Sequence, residues 1–284
     1  MKVKKSYLVA SITLSILAGC QSEPLLKKAS KNANTAIVFT DVSKQVGLIS
    51  QPAWKYGGPS VSDINNDGHY DFLLTNHDST PIRLFMANGD NTYSRSQDIF
   101  KKADLHGISA GDFDLDGDND ILLSLGGGNG KKPQPQRLLR NDNGHFVDIT
   151  QEAGISEMGA RGRSVRWVDL DNDGDLDFLQ INAEKMVNED APRNILFENN
   201  GDSTFTYRKS PDFENIDAER VLITDINNDH IVDMIAFNTY SQAGVWLGNN
   251  DFTFTDVSQT YFPAGSDNYK SVVSAAQADI DNDG

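Results

Sequence analysis

A nine-residue acidic segment recurs along the chain and constrains the fold more than any other feature. Four complete copies occupy residues 63–71, 112–120, 169–177 and 225–233, and a fifth begins at Asp279. The copies share Asp at positions 1, 5 and 9, Asp or Asn at position 3, and in three of four cases Gly at position 6. The period of 49–57 residues is longer than a solenoid turn and is typical of a propeller blade.

A second element recurs inside each period, where an apolar strand, a polar turn and an aromatic strand follow one another. The turn residues are Asn88-Gly89, Asn143-Gly144, Asn200-Gly201 and Asn249-Asn250. Such pairs between alternating apolar runs predict tight hairpins, because both turn residues need a positive φ angle.

Short apolar runs also enter and leave each acidic loop, so every period offers four antiparallel strands. The predicted exit strands are 72–75, 121–125, 178–181 and 234–237. Four-stranded units repeated radially predict an all-β fold, a β-propeller over residues 36–284. Residues 37–42 copy the last strand of a repeat, which predicts a strand that closes the final blade. Because the sequence stops inside the fifth loop, we expect it to be a fragment.

Acidic side chains at alternate positions of a tight loop can converge on one cation. Positions 1, 3, 5 and 9 offer side-chain oxygens, position 7 offers its backbone carbonyl, and Gly at position 6 permits the sharp turn. An oxygen-only site in a flexible loop favours Ca²⁺ over zinc or copper, with one ion expected in each blade. The predicted ligands are Asp63, Asn65, Asp67, His69 and Asp71; Asp112, Asp114, Asp116, Asp118 and Asp120; Asp169, Asp171, Asp173, Asp175 and Asp177; Asp225, Asn227, Asp229, Ile231 and Asp233; and Asp279, Asp281 and Asp283 of the truncated loop.

The loops differ in the number of carboxylates that they offer. Loops 112–120 and 169–177 have Asp at all four side-chain positions and are expected to bind most tightly. Asn65 and Asn227 each replace one carboxylate, and His230 occupies the glycine position of the fourth loop, which we expect to be the weakest. Calcium modules of exported proteins have Kd values of about 10⁻⁴ to 10⁻³ M. The alternative is that these turns cap hairpins without metal.

Together, the acidic loops and the hairpins between them resemble the FG-GAP/VCBS repeat family. This family supplies the propeller repeats of integrin α-subunit heads and of secreted proteins similar to cartilage acidic protein. The resemblance covers residues 36–284, and it is specific in the loops and looser between them. It implies a calcium-binding propeller.

The start of the chain is typical of a bacterial lipoprotein. Residues 1–19 combine three lysines with a short apolar segment and predict a signal peptide, and Leu17-Ala18-Gly19-Cys20 resembles a lipobox. Cys20 is the only cysteine, so lipid attachment is its expected role. Residues 20–35 are polar and predict a flexible tether. By family resemblance, Gln21 indicates the outer membrane. We therefore expect an exported protein, anchored to the cell envelope by its lipid alone.

The composition narrows the partners of the folded part. The formal charge of −16, from 25 Lys and Arg against 41 Asp and Glu, disfavours nucleic acid and favours cations as binding partners.

The Gly107-x-Ser109-x-Gly111 pattern matches a nucleophile elbow, but that motif needs a strand-to-helix turn and Ser109 precedes a loop. The five histidines show no metal-binding spacing and are assigned to surface or turn positions.

No other residues predict catalysis convincingly. The first hypothesis is therefore a non-enzymatic scaffold for binding or adhesion, with an unknown protein or glycan ligand. A polysaccharide lyase or hydrolase on a propeller and a structural component of an outer-membrane assembly are the alternatives.

Overall fold

A computed structural model describes residues 40–49, 59–75, 77, 80–127, 132–183, 193–238, 241–263, 272 and 275. The chain divides into two compact units, residues 1–41 and 42–284, and the second contains every strand in the described ranges. The signal peptide, the tether, Cys20 and residues 37–39 of the predicted closing strand lie outside the described residues. Among the described residues, no helix is long and apolar enough to cross a membrane.

The strands form four antiparallel sheets of four strands, which we number blades 1 to 4 in chain order. Blade 1 contains β1 (Ser60–Ser62), β2 (Asp71–Leu74), β3 (Ile82–Ala87) and β4 (Tyr93–Phe100). Blade 2 contains β5 (Leu105–Gly111), β6 (Asp120–Leu125), β7 (Arg137–Asp142) and β8 (His145–Asp148). Blade 3 contains β9 (Gly162–Val168), β10 (Asp177–Asn182), β11 (Ile195–Asn199) and β12 (Phe205–Arg208). Blade 4 contains β13 (Arg220–Thr224), β14 (Asp233–Phe237), β15 (Gly244–Gly248) and β16 (Phe254–Asp256), and the short helices are α1 (Pro211–Glu214) and α2 (Ser258–Tyr261).

The arrangement of the sheets confirms the predicted all-β propeller. Within each sheet the strands lie in chain order, so every blade is a meander. The first strands of consecutive blades contact one another, β1 with β5, β5 with β9 and β9 with β13. The first strand of each blade is therefore the inner one, and each acidic loop joins it to the second strand at one end of the blade.

The hydrophobic core lies mainly between the blades. One cluster joins blades 1 and 2, a second joins blades 2 and 3, and a third joins blades 3 and 4. Trp167 of β9 packs in the second cluster, where its ring stacks on Phe113 at 5.7 Å between centroids. Trp246 packs against the third cluster. Since each blade buries its apolar face against a neighbour, the blades stabilise one another.

The second hairpin of each blade only partly follows the prediction. Asn143 and Gly144 form the expected two-residue turn, with φ angles of 54° and 87°. The corresponding connections in blades 1, 3 and 4 are five residues long, 88–92, 200–204 and 249–253. In each of them an Asp accepts hydrogen bonds from the backbone N–H and the hydroxyl of a Thr two residues later, as Asp202 does from Thr204. The prediction of tight turns was wrong there because this Asp-x-Thr contact closes a wider loop.

Candidate metal-binding loops

The four described acidic loops share one backbone course. The residues at positions 4 and 6 have positive φ: Asn66, Leu115, Asn172 and Asn228 at 56°, 58°, 63° and 58°, and Gly68, Gly117, Gly174 and His230 at 85°, 96°, 96° and 67°. The sequence prediction identified the glycine position but overlooked position 4. The signal there was asparagine in three of four loops, because Asn tolerates the left-handed region better than most residues. Leu115 and His230 adopt it at a cost of about 1 kcal/mol each.

The carboxylates at positions 1 and 5 organise the backbone of their own loop. Asp112 accepts hydrogen bonds from the N–H groups of Asp116 and Gly117, at 3.1 and 3.0 Å. Asp116 in turn accepts a hydrogen bond from the N–H of Asp118 at 2.9 Å. Equivalent bonds are made by Asp63 and Asp67 and by Asp225 and Asp229. In the third loop Asp169 accepts the N–H groups of Asn172 and Gly174, and Asp173 accepts that of Asp175. These bonds hold the side chains at positions 1 and 5 against the loop.

The carboxylate at position 9 ties the loop to the rest of its blade. Asp120 is fully buried, its Oδ2 accepts the N–H of Phe113 at 3.2 Å, and its Oδ1 accepts the N–H of Asn141 in β7 at 2.8 Å. Asp71, Asp177 and Asp233 are also buried and make the same pair of bonds. The exit strand begins at this Asp, one residue earlier than predicted, because its side chain fixes the start of the strand.

Three carboxylates converge in each of the loops of blades 2 and 3. One ligand atom from each member lies within 4.8 Å of the others in two groups, Asp112, Asp114 and Asp120, and Asp169, Asp171 and Asp177. The Oδ1 atoms of Asp114 and Asp171 are buried and have no hydrogen-bond partner. A buried carboxylate oxygen without a donor is costly, and a bound cation would remove that cost. These two acidic groups could therefore hold a metal ion.

The loops of blades 1 and 4 differ at position 3. The side-chain amide of Asn65 donates to Oδ2 of Asp67 at 3.0 Å, and that of Asn227 donates to Oδ2 of Asp229 at 2.8 Å. The amide thus occupies a position-5 oxygen that a cation would otherwise use. Within the described part of the chain, neither loop brings three carboxylates together in the way that blades 2 and 3 do.

Burial and neighbouring charges raise the pKa of two of the three converging carboxyls in each of these loops. Burial raises the pKa of Asp120 and that of Asp177 to about 7, against the hydrogen bonds from the backbone. Burial also raises the pKa of Asp114 and that of Asp171, with a further contribution from the charges of neighbouring Asp residues. A divalent cation would neutralise this repulsion, and an all-oxygen donor set suits Ca²⁺. The residues present therefore fit the predicted ion.

We predict that the calcium-free protein becomes less stable as pH rises from about 5 to about 8. Because folding raises the pKa of Asp120 and Asp177 above that of the unfolded chain, the folded state binds more protons between about pH 4 and pH 7. The stability from these protons is present at low pH and is lost as pH rises through 7, on the order of 1–2 kcal/mol per carboxyl.

Thermal melts in a chelator at pH 5, 6, 7 and 8 measure this dependence. The matched control is the same series in saturating calcium, where the ion competes with protons and the slope should flatten or reverse. A calcium-free melting temperature that stays constant or increases over this range would contradict the prediction.

Buried asparagines connect the loops of neighbouring blades, and the sequence analysis missed them. The amide of Asn199, at the end of β11, donates to the carbonyls of Leu176 in its own blade and Phe113 in blade 2, at 3.3 and 2.9 Å. Asn141, at the end of β7, makes the equivalent bonds to Asn119 and Ile64, both at 3.2 Å. The loops are thus held in register around the propeller.

The structure describes only some of the remaining predicted site residues. His69, Asp118, Asp175 and Ile231 lie at position 7, each donating its N–H to the position-5 Asp, and the proposed role of their carbonyls stays a prediction. Asp279, Asp281 and Asp283 lie outside the described residues.

Ser109 lies within β5, where its hydroxyl accepts the N–H of Trp167 at 3.4 Å. It is therefore not at the strand-to-helix turn that a nucleophile elbow needs.

The fold and these loops define a class of protein, a β-propeller in which each described blade carries an Asp-rich hairpin loop. The family model for the FG-GAP-like repeat matches residues 63–123, 124–179 and 225–284. The chain therefore belongs to the FG-GAP-like repeat family, as the resemblance in its motifs indicated. It is also 27% identical to cartilage acidic protein 1 of Xenopus tropicalis over 159 residues, which cover 52% of this chain and 24% of that protein. The chain spans about a quarter of the length of this relative.

Proposed function

We propose that the protein is an exported, calcium-dependent propeller scaffold that binds a protein or glycan ligand at the cell envelope. One observation supports calcium binding most directly. The Oδ1 atoms of Asp114 and Asp171 are buried and have no hydrogen-bond partner, and each belongs to a group of three converging carboxylates. Metal-free hairpin caps need no such arrangement, because a capping carboxylate accepts hydrogen bonds from nearby donors. Calcium would instead satisfy these oxygens and fix the loops.

Substitution of Asp171 by Asn is expected to weaken calcium binding at its loop by about tenfold or more, because the loop loses one charged ligand. The matched control is Asp175→Asn, which removes the same charge from the same loop at a position assigned only a carbonyl ligand. Isothermal titration calorimetry with CaCl₂ on the full chain measures both variants. Equal losses in the two variants would show that general charge, and not coordination, determines the affinity.

The proposed role as a binding scaffold is supported by the family and by the net charge. FG-GAP-like repeats indicate a binding or adhesion type of propeller, and the net charge of −16 argues against nucleic acid as the ligand. A saturable protein or glycan ligand, bound without turnover and lost in chelator, would support this role. Turnover on a panel of polysaccharides would instead favour an enzyme, and co-purification of membrane proteins would favour a structural part of an envelope assembly.

The envelope part rests on the N-terminal sequence, and it predicts acylation at Cys20. Labelled palmitate fed to a bacterial host that expresses the full chain should be incorporated into the wild-type protein and not into Cys20→Ser, since no other cysteine is present. Wild type should fractionate with membranes, and Cys20→Ser should not. Gln21→Asp is the sorting control, and it should keep the label while changing the membrane fraction. Label that persists in Cys20→Ser would contradict the assignment.

A further inference from the structure

A second group of potential metal ligands lies away from the acidic loops and contains two histidines. His77 follows β2 of blade 1, Asp104 precedes β5, and His106 lies in β5 of blade 2. One ligand atom of each lies within 4.8 Å of the others. The sequence predicts surface or turn positions for the histidines, which is wrong for His106, because only 5% of it is exposed. The group forms only when two blades meet, so spacing in the sequence could not reveal it.

The two histidines of this group both contact one carboxylate oxygen, at hydrogen-bond distance. The Nε2 atoms of His77 and His106 lie 2.6 and 2.8 Å from the same oxygen, Oδ1 of Asp104. The two imidazole rings lie 5.0 Å apart between centroids, at an angle of 45°. Two imidazoles and one carboxylate form a three-ligand set that suits zinc and neighbouring first-row metals, with a further position for water.

The backbone of Gly126 lies close against the ligand atoms of the group. A Cβ at Gly126 would lie 2.5 Å from Nε2 of His106 and 2.8 Å from Oδ2 of Asp104, so only glycine fits there. The N–H of Gly126 donates to the backbone carbonyl of Asp104 at 2.7 Å, which fixes this close approach. A methyl group at residue 126 would therefore push the side chains of His106 and Asp104 out of their present positions.

Arg163 of β9 contacts the other side of the buried histidine. Its Nη1 lies within hydrogen-bond distance of Nδ1 of His106. A guanidinium can only donate, so Nδ1 accepts this bond and the proton of the neutral ring is on Nε2. Coordination through Nε2 requires that this proton moves to Nδ1 or leaves for solvent, and Arg163 opposes the first route. Arg163 therefore competes with a metal for His106.

We propose that His77, Asp104 and His106 bind a borderline first-row divalent cation such as Zn²⁺ and thereby join blade 1 to blade 2. The site is separate from the calcium loops in position and in chemistry. His106 lies near the start of β5 and Asp112 directly follows its end, roughly 20 Å away at about 3.3 Å per residue. Nitrogen ligands favour Zn²⁺ over Ca²⁺, whereas the acidic loops offer oxygen alone. The proposal is independent of the proposed scaffold function.

The test is a titration of the full chain with ZnCl₂ and with CoCl₂ in saturating calcium, which keeps the acidic loops occupied. We expect one high-affinity Zn²⁺ per chain, visible d–d absorption from Co²⁺ in a site of low coordination number, and a higher melting temperature in Zn²⁺. His77→Ala should weaken binding by more than about 100-fold, because loss of a direct ligand costs more than loss of a supporting contact. His145→Ala is the matched control, since it removes an exposed histidine of β8.

Two further variants separate coordination from a purely hydrogen-bonded group. Gly126→Ala should abolish Zn²⁺ binding without removing a ligand, because its methyl group would displace the side chains of His106 and Asp104. Arg163→Ala should tighten Zn²⁺ binding several-fold, because His106 can then carry its proton on Nδ1. The melting temperature of each variant in calcium alone confirms that it is folded. Absence of stoichiometric Zn²⁺ binding in wild type, or equal binding by His77→Ala and His145→Ala, would overturn the proposal.

Discussion

Removal of calcium from the full chain is expected to lower its melting temperature by about 10–20 °C. A loop with a Kd of about 0.1 mM contributes about 2.7 kcal/mol of stability in about 10 mM calcium. The two loops in which three carboxylates converge would together contribute about 5 kcal/mol. For a domain of this size, each kcal/mol corresponds to about 2–4 °C. Differential scanning calorimetry of the same sample in calcium and in EGTA measures the shift.

The double variant Asp114→Asn/Asp171→Asn is the control that assigns this shift to the loops of blades 2 and 3. It replaces two charged carboxylate ligands by neutral amides, so its melting temperature should respond to EGTA much less than that of wild type. Magnesium should restore little of the wild-type stability, because a smaller ion with strict octahedral geometry suits these flexible loops poorly. An unchanged wild-type melt in EGTA would contradict calcium binding. An equal shift in the double variant would contradict the assignment to these two loops.

The sequence repeat predicted the fold because each blade forms from residues that are close together in the sequence. The acidic loop fixes one hairpin in each period, and alternating apolar strands on either side complete the sheet. The hairpin details were less predictable. Asn88-Gly89 and Asn143-Gly144 are the same dipeptide, yet the first begins a five-residue connection and the second forms a two-residue turn. The difference comes from Asp90, which accepts two hydrogen bonds from Thr92, two residues further along.

Contacts between blades were beyond prediction from one sequence. Asn199 binds the carbonyl of Phe113, 86 residues away, and Arg163 contacts His106, 57 residues away. Each contact depends on the angle and distance between neighbouring sheets, which the repeat pattern does not specify. The same limit applies to the ranking of the loops. Carboxylate count favoured blades 2 and 3, but the unpartnered Oδ1 atoms of Asp114 and Asp171 are visible only in the folded arrangement.

Substitution of Asp177 by Ala is expected to destabilise the protein by about 3–5 kcal/mol even without calcium. Asp177 is 1% exposed, and its two oxygens accept the N–H groups of Leu170 and Asn199, both within 2.9 Å. Alanine would leave two buried backbone donors without acceptors, at about 1–3 kcal/mol each. Asp177→Asn should also destabilise the protein. Its side-chain NH₂ group would face one of these backbone N–H groups, and two donors cannot form a hydrogen bond with each other.

Asp171→Ala is the matched comparison, because it removes a carboxylate of the same group that binds no backbone donor through Oδ1. In EGTA this variant should be as stable as wild type or more stable, since it removes a half-buried, repelled charge whose pKa burial has raised. In calcium it should be less stable than wild type, because it has lost a ligand. Urea unfolding of both variants, with and without calcium, therefore distinguishes the two roles. Asp177 stabilises the loop backbone through hydrogen bonds, and Asp171 serves as a calcium ligand. If the two variants lose equal stability in EGTA, positions 3 and 9 have the same role and this division is wrong.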